Sequence, residues 1–229
     1  MKKIGIVGGL GPESTIEYYR ILCATYRVQT GGQYPELLIY SLNFTDFPCT
    51  GSQAGLDEVA GWLHHAIQAL SDAGADFAII AANTPHIVFD EIQERSPIPL
   101  LSIVEATCQE AHTRGLKRVG LLGTITTMNG HFYPAVFKKK DIAIVVPNDA
   151  EKEYVHDKLA SELMYNRIEE RTRQDYLTII KRMVDEEAID GLILGCTEIP
   201  LLLTKDEFGI PFLNTTMIHA KAAVGYCLQ

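Results

Sequence analysis

Asp190-Gly-Leu-Ile-Leu-Gly-Cys196-Thr-Glu-Ile-Pro200 is an apolar run that ends on a glycine, then a cysteine, then a polar pair. A short apolar run bounded by turn residues reads as a buried strand. The pattern also stands earlier in the chain, as Asp76-Phe-Ala-Ile-Ile-Ala-Ala82-Asn83, with alanine in place of the thiol. Two further pairs recur at nearly the same separation. Lys2-Lys-Ile-Gly-Ile-Val-Gly8 matches Lys117-Arg-Val-Gly-Leu-Leu-Gly123, and Ile98-Pro-Leu-Leu101 matches Ile210-Pro-Phe-Leu213. One such match is common among α/β strands; three in the same order favour two similar βα domains over one long sheet.

Around these segments strands alternate with helices, which implies parallel sheets covered by helices. Strands are expected at residues 3–7, 37–42, 77–81, 97–101, 118–122, 142–146, 191–195 and 210–213. Helices are expected from Pro12, where Ile16, Tyr19, Cys23 and Tyr26 recur on one face, and across residues 56–70 and 102–114. Further helices are expected across residues 150–168, 172–187 and 217–227. The domains are expected at residues 1–101 with 214–229, and at 102–213. Ligands of parallel α/β sheets bind beyond the carboxyl ends of the strands. Two facing domains would therefore gather the turns at 8–11, 82–84, 124–127 and 196–198 around one cleft, with position 82 opposite Cys196.

Composition narrows the function. The chain has 229 residues, 47% hydrophobic and 21% charged, which suits a soluble globular protein. A net charge of −9 argues against a nucleic-acid surface. No apolar stretch approaches the length of a membrane span, and the run after Met1 stops too soon for a signal peptide. The five cysteines are scattered with no C-x-x-C pair, so reduced thiols and a cytoplasmic setting are expected, with no metal site. Cys23, Cys108 and Cys227 lie on helix patterns and read as core; Cys49 sits in a loop and is open either way. Adjacent His64 and His65 cannot face one ligand together on a helix. His219 is equally readable as packing or function. Gly9-x-Gly11 continues with Ser14 where a dinucleotide fingerprint wants Gly or Ala, and no Walker lysine follows. The glycine turn, with Leu10 in it, is better suited to letting a small carboxylate approach the backbone.

A cleft with one reactive group per domain suits a reaction at two faces of one carbon. Racemisation has that need: one group removes the α-proton and another returns one from the opposite face. A thiol at a strand-to-helix turn is expected to be acidified by backbone amides. Asn83, Thr84, Thr124, Thr127 and Thr197 are short neutral donors for a carboxylate. Glu198 or His86 could orient or deprotonate the thiol.

These residues resemble those of the aspartate/glutamate racemase family, cofactor-independent amino-acid racemases. Leu192-Ile-Leu-Gly-Cys-Thr-Glu-Ile-Pro200 is similar to that family's second cysteine motif. Ile4-Gly-Ile-Val-Gly-Gly-Leu-Gly-Pro-Glu-Ser-Thr15 is similar to the N-terminal motif of its aspartate racemase branch. Residues 121–128 and 212–219 are also similar to family segments. The resemblance implies two flavodoxin-like domains related by the internal repeat, with the active site between them. It implies a homodimer, a small, acidic amino acid or other carboxylate as substrate, and no cofactor or metal. Cys196 matches the second catalytic thiol. Leu10, Asn83, Thr84, Thr124, Thr127, Thr197 and Glu198 are the expected substrate contacts. Ala82 stands where the family usually has its first catalytic cysteine, and alanine cannot move a proton. An engineered substitution, a neighbour such as Thr84 or His86, an ordered water, or single-thiol chemistry would each account for it. Single-thiol chemistry means a decarboxylase or isomerase of a small carboxylic acid; a catalytically lapsed carboxylate-binding protein is a further alternative. The loop at residues 43–53 also lacks the Arg or Lys that some aspartate racemases place there; Arg167 or Arg171 could substitute.

Overall fold

A computed structural model describes residues 1–48 and 50–229; Cys49 lies outside the described residues. In chain order the elements are β1 (Ile4–Gly8), α1 (Pro12–Gln29), β2 (Leu37–Ser41), α2 (Gln53–Asp72), β3 (Phe77–Ile80), α3 (Phe89–Arg95) and β4 (Leu100–Leu101). They continue with α4 (Ile103–Thr113), β5 (Arg118–Gly123), α5 (Ile125–Asn129), α6 (Phe132–Lys138), β6 (Ala143–Val145), α7 (Asp149–Ser161) and α8 (Glu170–Glu187). The chain ends with β7 (Gly191–Gly195), α9 (Ile199–Leu202), β8 (Phe212–Asn214) and α10 (Thr215–Cys227). Two compact units result: Met1–Ala106 with Thr216–Gln229, and Thr107–Thr215.

Each unit holds a four-stranded, all-parallel sheet. The orders are β2-β1-β3-β4 and β6-β5-β7-β8, which is one topology used twice. The sequence repeat has a physical counterpart at the amino ends of the central strands. The Asp76 carboxylate accepts from the Lys3 amide at 2.6 Å. Asp190 accepts from the amides of Lys117 and Arg118 at 2.7 and 3.0 Å. In both units an aspartate before the third strand thus fixes the start of the first.

The cores follow from strand alternation. In the first unit Ile4 and Ile6 pack with Tyr18, Leu22, Ala223 and Val224, while Val7 packs with Val59, Leu63 and Ala66 of α2. Both faces of that sheet are therefore covered, as parallel sheets require. In the second unit Leu192 and Leu194 pack with Val155, Tyr176, Ile180 and Met183.

Three expectations shift. The buried stripe of α1 is Ser14, Tyr18, Ile21, Leu22 and Tyr26, leaving Ile16 and Tyr19 about half exposed at 52% and 51%. With two adjacent tyrosines the apolar period has two readings, and the packed one runs through Tyr18. Cys23 is accordingly half-buried, whereas Cys108 and Cys227 are buried. The helix expected across residues 150–168 ends at Ser161: a 3₁₀ turn at Leu163–Tyr165 follows, closed by Arg167 N–H donating to Glu162 O at 3.0 Å. Asn166, with φ of 57°, supplies the left-handed residue there. Third, the fourth strand of the first unit is only Leu100–Leu101, because Pro97 and Pro99 cannot donate to a ladder.

Replacing Asp76 or Asp190 with alanine should lower the unfolding free energy by about 1 kcal/mol each. Urea denaturation with an unchanged m-value is the check.

Candidate active site

The second unit gathers its candidate residues at the carboxyl ends of β5 and β7. These strands run in register to Gly123 beside Gly195. A Cβ on Gly123 would lie 2.9 Å from the Gly195 carbonyl oxygen, so the two turns close together only because both residues are glycine. Thr124 caps α5: its hydroxyl accepts from the Thr127 amide at 3.2 Å and lies 3.0 Å from the Thr127 hydroxyl. Thr127 is fully buried, its methyl 3.5 Å from where a Cβ on Gly195 would stand. Thr124, Thr127, Cys196, Thr197 and Glu198 are thus gathered at one edge of one sheet.

Cys196 and Glu198 are both buried. The Cys196 thiol donates to Glu198 Oε2 at 2.9 Å, and the Thr197 hydroxyl donates to the same oxygen at 2.8 Å. The expectation of an acidified thiol is reversed. Burial, then the negative charge and hydrogen bond of Glu198, raise the Cys196 pKa well above the ordinary cysteine value. The backbone amides of Glu198 and Thr197 pull the other way and are outweighed. The thiol rests protonated with an acceptor already in contact. Thr197, expected as a substrate donor, here donates its hydroxyl hydrogen bond to Glu198.

The first unit builds the matching edge from β1 and β3. Gly9 has φ of +76°, and a Cβ there would fall 2.1 Å from the Leu42 carbonyl oxygen. The Gly9 amide donates to the Thr15 hydroxyl at 2.9 Å, and the Leu42 amide donates to Gly8 O at 2.9 Å. Buried Ser14 lies 2.8 Å from Gly11 O and 2.9 Å from Ala81 O. The serine that broke the dinucleotide pattern therefore ties the glycine turn to the end of β3. Leu10 is buried in the α2-facing cluster, and Ala82 packs against that cluster. Asn83 is buried and precedes the 3₁₀ turn Thr84–Val88. Leu10, Ala82, Asn83 and Thr84 thus share one sheet edge.

His86 is tied to backbone at that edge. Its Nε2 accepts from the Ile103 amide at 3.2 Å, which leaves Nδ1 to donate to Ala82 O at 3.0 Å. Both nitrogens are spent on backbone, and the ring stacks on Phe89 at 5.0 Å. Burial, then neighbouring His219, pushes its pKa down to about 3. His219 is also structural. It donates from Nε2 to Leu101 O at 3.0 Å and takes the Tyr18 hydroxyl on Nδ1 at 2.8 Å, and burial lowers it to about 4. The two imidazoles hold the turns after β3 and β4 in place.

Sequence reasoning missed His156 of α7, whose Nδ1 accepts from the Ile125 amide at 3.4 Å beside the Thr124 turn. Its only signal was its place between buried Val155 and Leu159. Among the described residues no group of three or more His, Cys, Asp or Glu could hold a metal ion, and no helix is long and apolar enough to cross a membrane.

The fold is thus a duplicated parallel α/β unit with a thiol–carboxylate pair at one strand-end turn. The model of the Asp/Glu/hydantoin racemase family matches residues 7–223, and the chain belongs to that family. It is 28% identical to the broad specificity amino-acid racemase RacX of Bacillus subtilis (strain 168), across 96% of each chain. The crystal structure of an aspartate racemase homologue from Pyrococcus horikoshii OT3 is 37% identical, covers 100% of both chains and superposes with a TM-score of 0.84. Glutamate racemase from Aquifex pyrophilus shares the fold at 18% identity and a TM-score of 0.67, over 98% of this chain and 83% of its own.

Two outcomes follow from the electrostatics. Glu198→Gln removes the charge that raises the thiol, so the pH midpoint for iodoacetamide alkylation of Cys196 should move down, while activity falls. His86 and His219 are neutral when folded but protonate near pH 6.5 when unfolded. Their stabilisation is complete above pH 6.5 and drains as pH falls toward 4, by about 1.4 kcal/mol per pH unit for each. His86→Gln should flatten the slope of unfolding free energy between pH 6 and 4.5 by about that amount.

Proposed function

We propose that the protein interconverts the enantiomers of a small α-amino acid, with Cys196 moving the α-proton on one face. The observation that carries this reading is the 2.9 Å contact between the buried thiol and Glu198 Oε2. On substrate binding Glu198 takes the thiol proton, and the thiolate then takes the proton from Cα. Electrons left on Cα delocalise into the substrate carboxylate, which a neutral hydroxyl donor of the Thr124 type would stabilise. On the opposite face of Cα a water returns a proton, and the hydroxide it leaves is neutralised by the proton that Glu198 then releases to solvent. All proton carriers in this scheme are side chains or water, with no cofactor. RacX carries a name of broad specificity and other relatives are named for glutamate or aspartate, so the commitment is to an α-amino acid and not to one side chain.

Ala82 also favours a second reading, a single-thiol decarboxylase. There the carbon–carbon bond of a substituted malonate breaks, carbon dioxide leaves with its bond electrons on Cα, and Cys196 delivers one proton. Release of carbon dioxide from such a malonate, lost in Cys196→Ser, would favour it over racemisation.

Incubating single enantiomers in deuterated water is the test. Inversion with α-deuterium incorporation is expected, reduced 10²-fold or more by Cys196→Ser, the order of a lost acid/base. Ala82→Cys should raise the inversion rate by at least ten-fold by supplying a direct proton carrier. Absence of exchange with every amino acid tested would rule the racemase reading out.

A further inference from the structure

We infer that the second unit carries a separate binding site for a free, zwitterionic amino acid with a small apolar side chain, in the cleft between β8 and the loop at residues 203–206. The cleft measures about 200 Å³, and every residue that lines it belongs to the second unit. Its floor extends the core. Leu194 and Leu203 are buried, and half-buried Phe212 packs against the same apolar cluster. β7 and β8 run in register from Leu192 beside Phe212 to Leu194 beside Asn214, so the sheet itself fixes the floor. Pro200 of α9 also lines the cleft, whereas Cys196, Thr197 and Glu198 do not. The charged lining residues, Lys205 and Asp206, are both exposed and stand at its mouth.

The loop that closes the cleft is built by specific contacts. Glu207 and Ile210 pair across a turn in which Phe208 and Gly209 take φ of 55° and 75°. Arg173 of α8 holds Glu207 at 3.2 Å. Asp206 accepts from the Phe212 amide at 2.7 Å through Oδ1, which fixes the carboxylate and uses one of its two oxygens. Lys205 lies 3.5 Å from Glu207, a carboxylate it shares with Arg173. Among the described residues no ion pair joins Lys205 to Asp206, so the two charges stand apart. A lining with one charge of each sign selects against a simple ion: an anion would meet Asp206, and a cation would meet Lys205. A zwitterion satisfies both, with its carboxylate on the lysine ammonium and its own ammonium on the aspartate. The apolar floor then removes a small side chain from water. Size sets the limit. The cleft is smaller than the roughly 300–1,000 Å³ of sites for drug-sized ligands, which suits one amino acid rather than a peptide or nucleotide.

The test is a titration of the whole chain with α-methylleucine, a zwitterion with no α-hydrogen to exchange, followed by the methyl NMR signals of Leu194 and Leu203. Saturable shifts of both residues are expected, with a Kd in the millimolar range. 4-Methylpentanoate lacks the ammonium and 3-methylbutylamine lacks the carboxylate; each should bind about ten-fold more weakly or worse, as the loss of one charged hydrogen-bond partner implies. Lys205→Gln and Asp206→Asn should each weaken binding several-fold. Neither should change Tm, because Lys205 is exposed and asparagine keeps an acceptor for the Phe212 amide. Absence of a saturable shift, binding of either analogue as tight as that of α-methylleucine, or unchanged affinity in either variant would overturn the inference. The readout needs no turnover, so this site and the racemase reading stand or fall separately.

Discussion

A buried thiol 2.9 Å from a buried carboxylate is the constraint on which the site turns. Two negative charges at that distance, away from water, strongly disfavour each other. The resting arrangement therefore keeps the proton on sulfur, with Glu198 as acceptor and the Thr197 hydroxyl as a second donor to the same oxygen. Such a thiol rests protonated, and a proton shift along one hydrogen bond would convert it to a base.

The scaffold makes this contact by forcing backbone turns close together. Parallel strands deliver all their chain ends to one edge, and glycines at positions 123 and 195 let two such ends touch. Packing of Thr127 against Gly195 then fixes the turn that precedes the thiol. At the opposite edge, Asp76 and Asp190 pin the starts of β1 and β5 in the same way. The first unit solves the equivalent problem differently, with Ser14 and His86 spending their polar atoms on the carbonyls of Ala81 and Ala82. One turn carries a buried thiol and its counterpart carries a braced alanine.

Much of this was legible in the sequence, for physical reasons. Segments such as Leu192–Gly195 are apolar throughout because parallel strands are buried on both faces, and the repeat exposes their duplication. The Cys196-Thr-Glu turn was legible because a thiol beside two polar residues breaks the apolar run. The direction of the thiol's acidity was not: it depends on the Glu198 carboxylate folding back onto sulfur, a side-chain rotation that spacing does not encode. His86 was misread for a similar reason. Its two nitrogens are saturated by one local carbonyl and one amide from Ile103, across an intervening helix and strand. His156 was invisible because its partner, the Ile125 amide, is distant in sequence. The α1 face was misread because Tyr18 and Tyr19 are alike in type and only packing separates them.

The asymmetry between the two units concentrates the proposed chemistry on Cys196, and chemical modification reads that directly. Iodoacetamide is added in substoichiometric steps, Cys196 labelling is quantified by peptide mass spectrometry, and α-deuterium exchange is measured on the same samples. The account predicts that exchange falls in proportion to the Cys196 label, reaches zero at one label per chain, and is protected by a turned-over amino acid. Full labelling of Cys196 with exchange intact would contradict it.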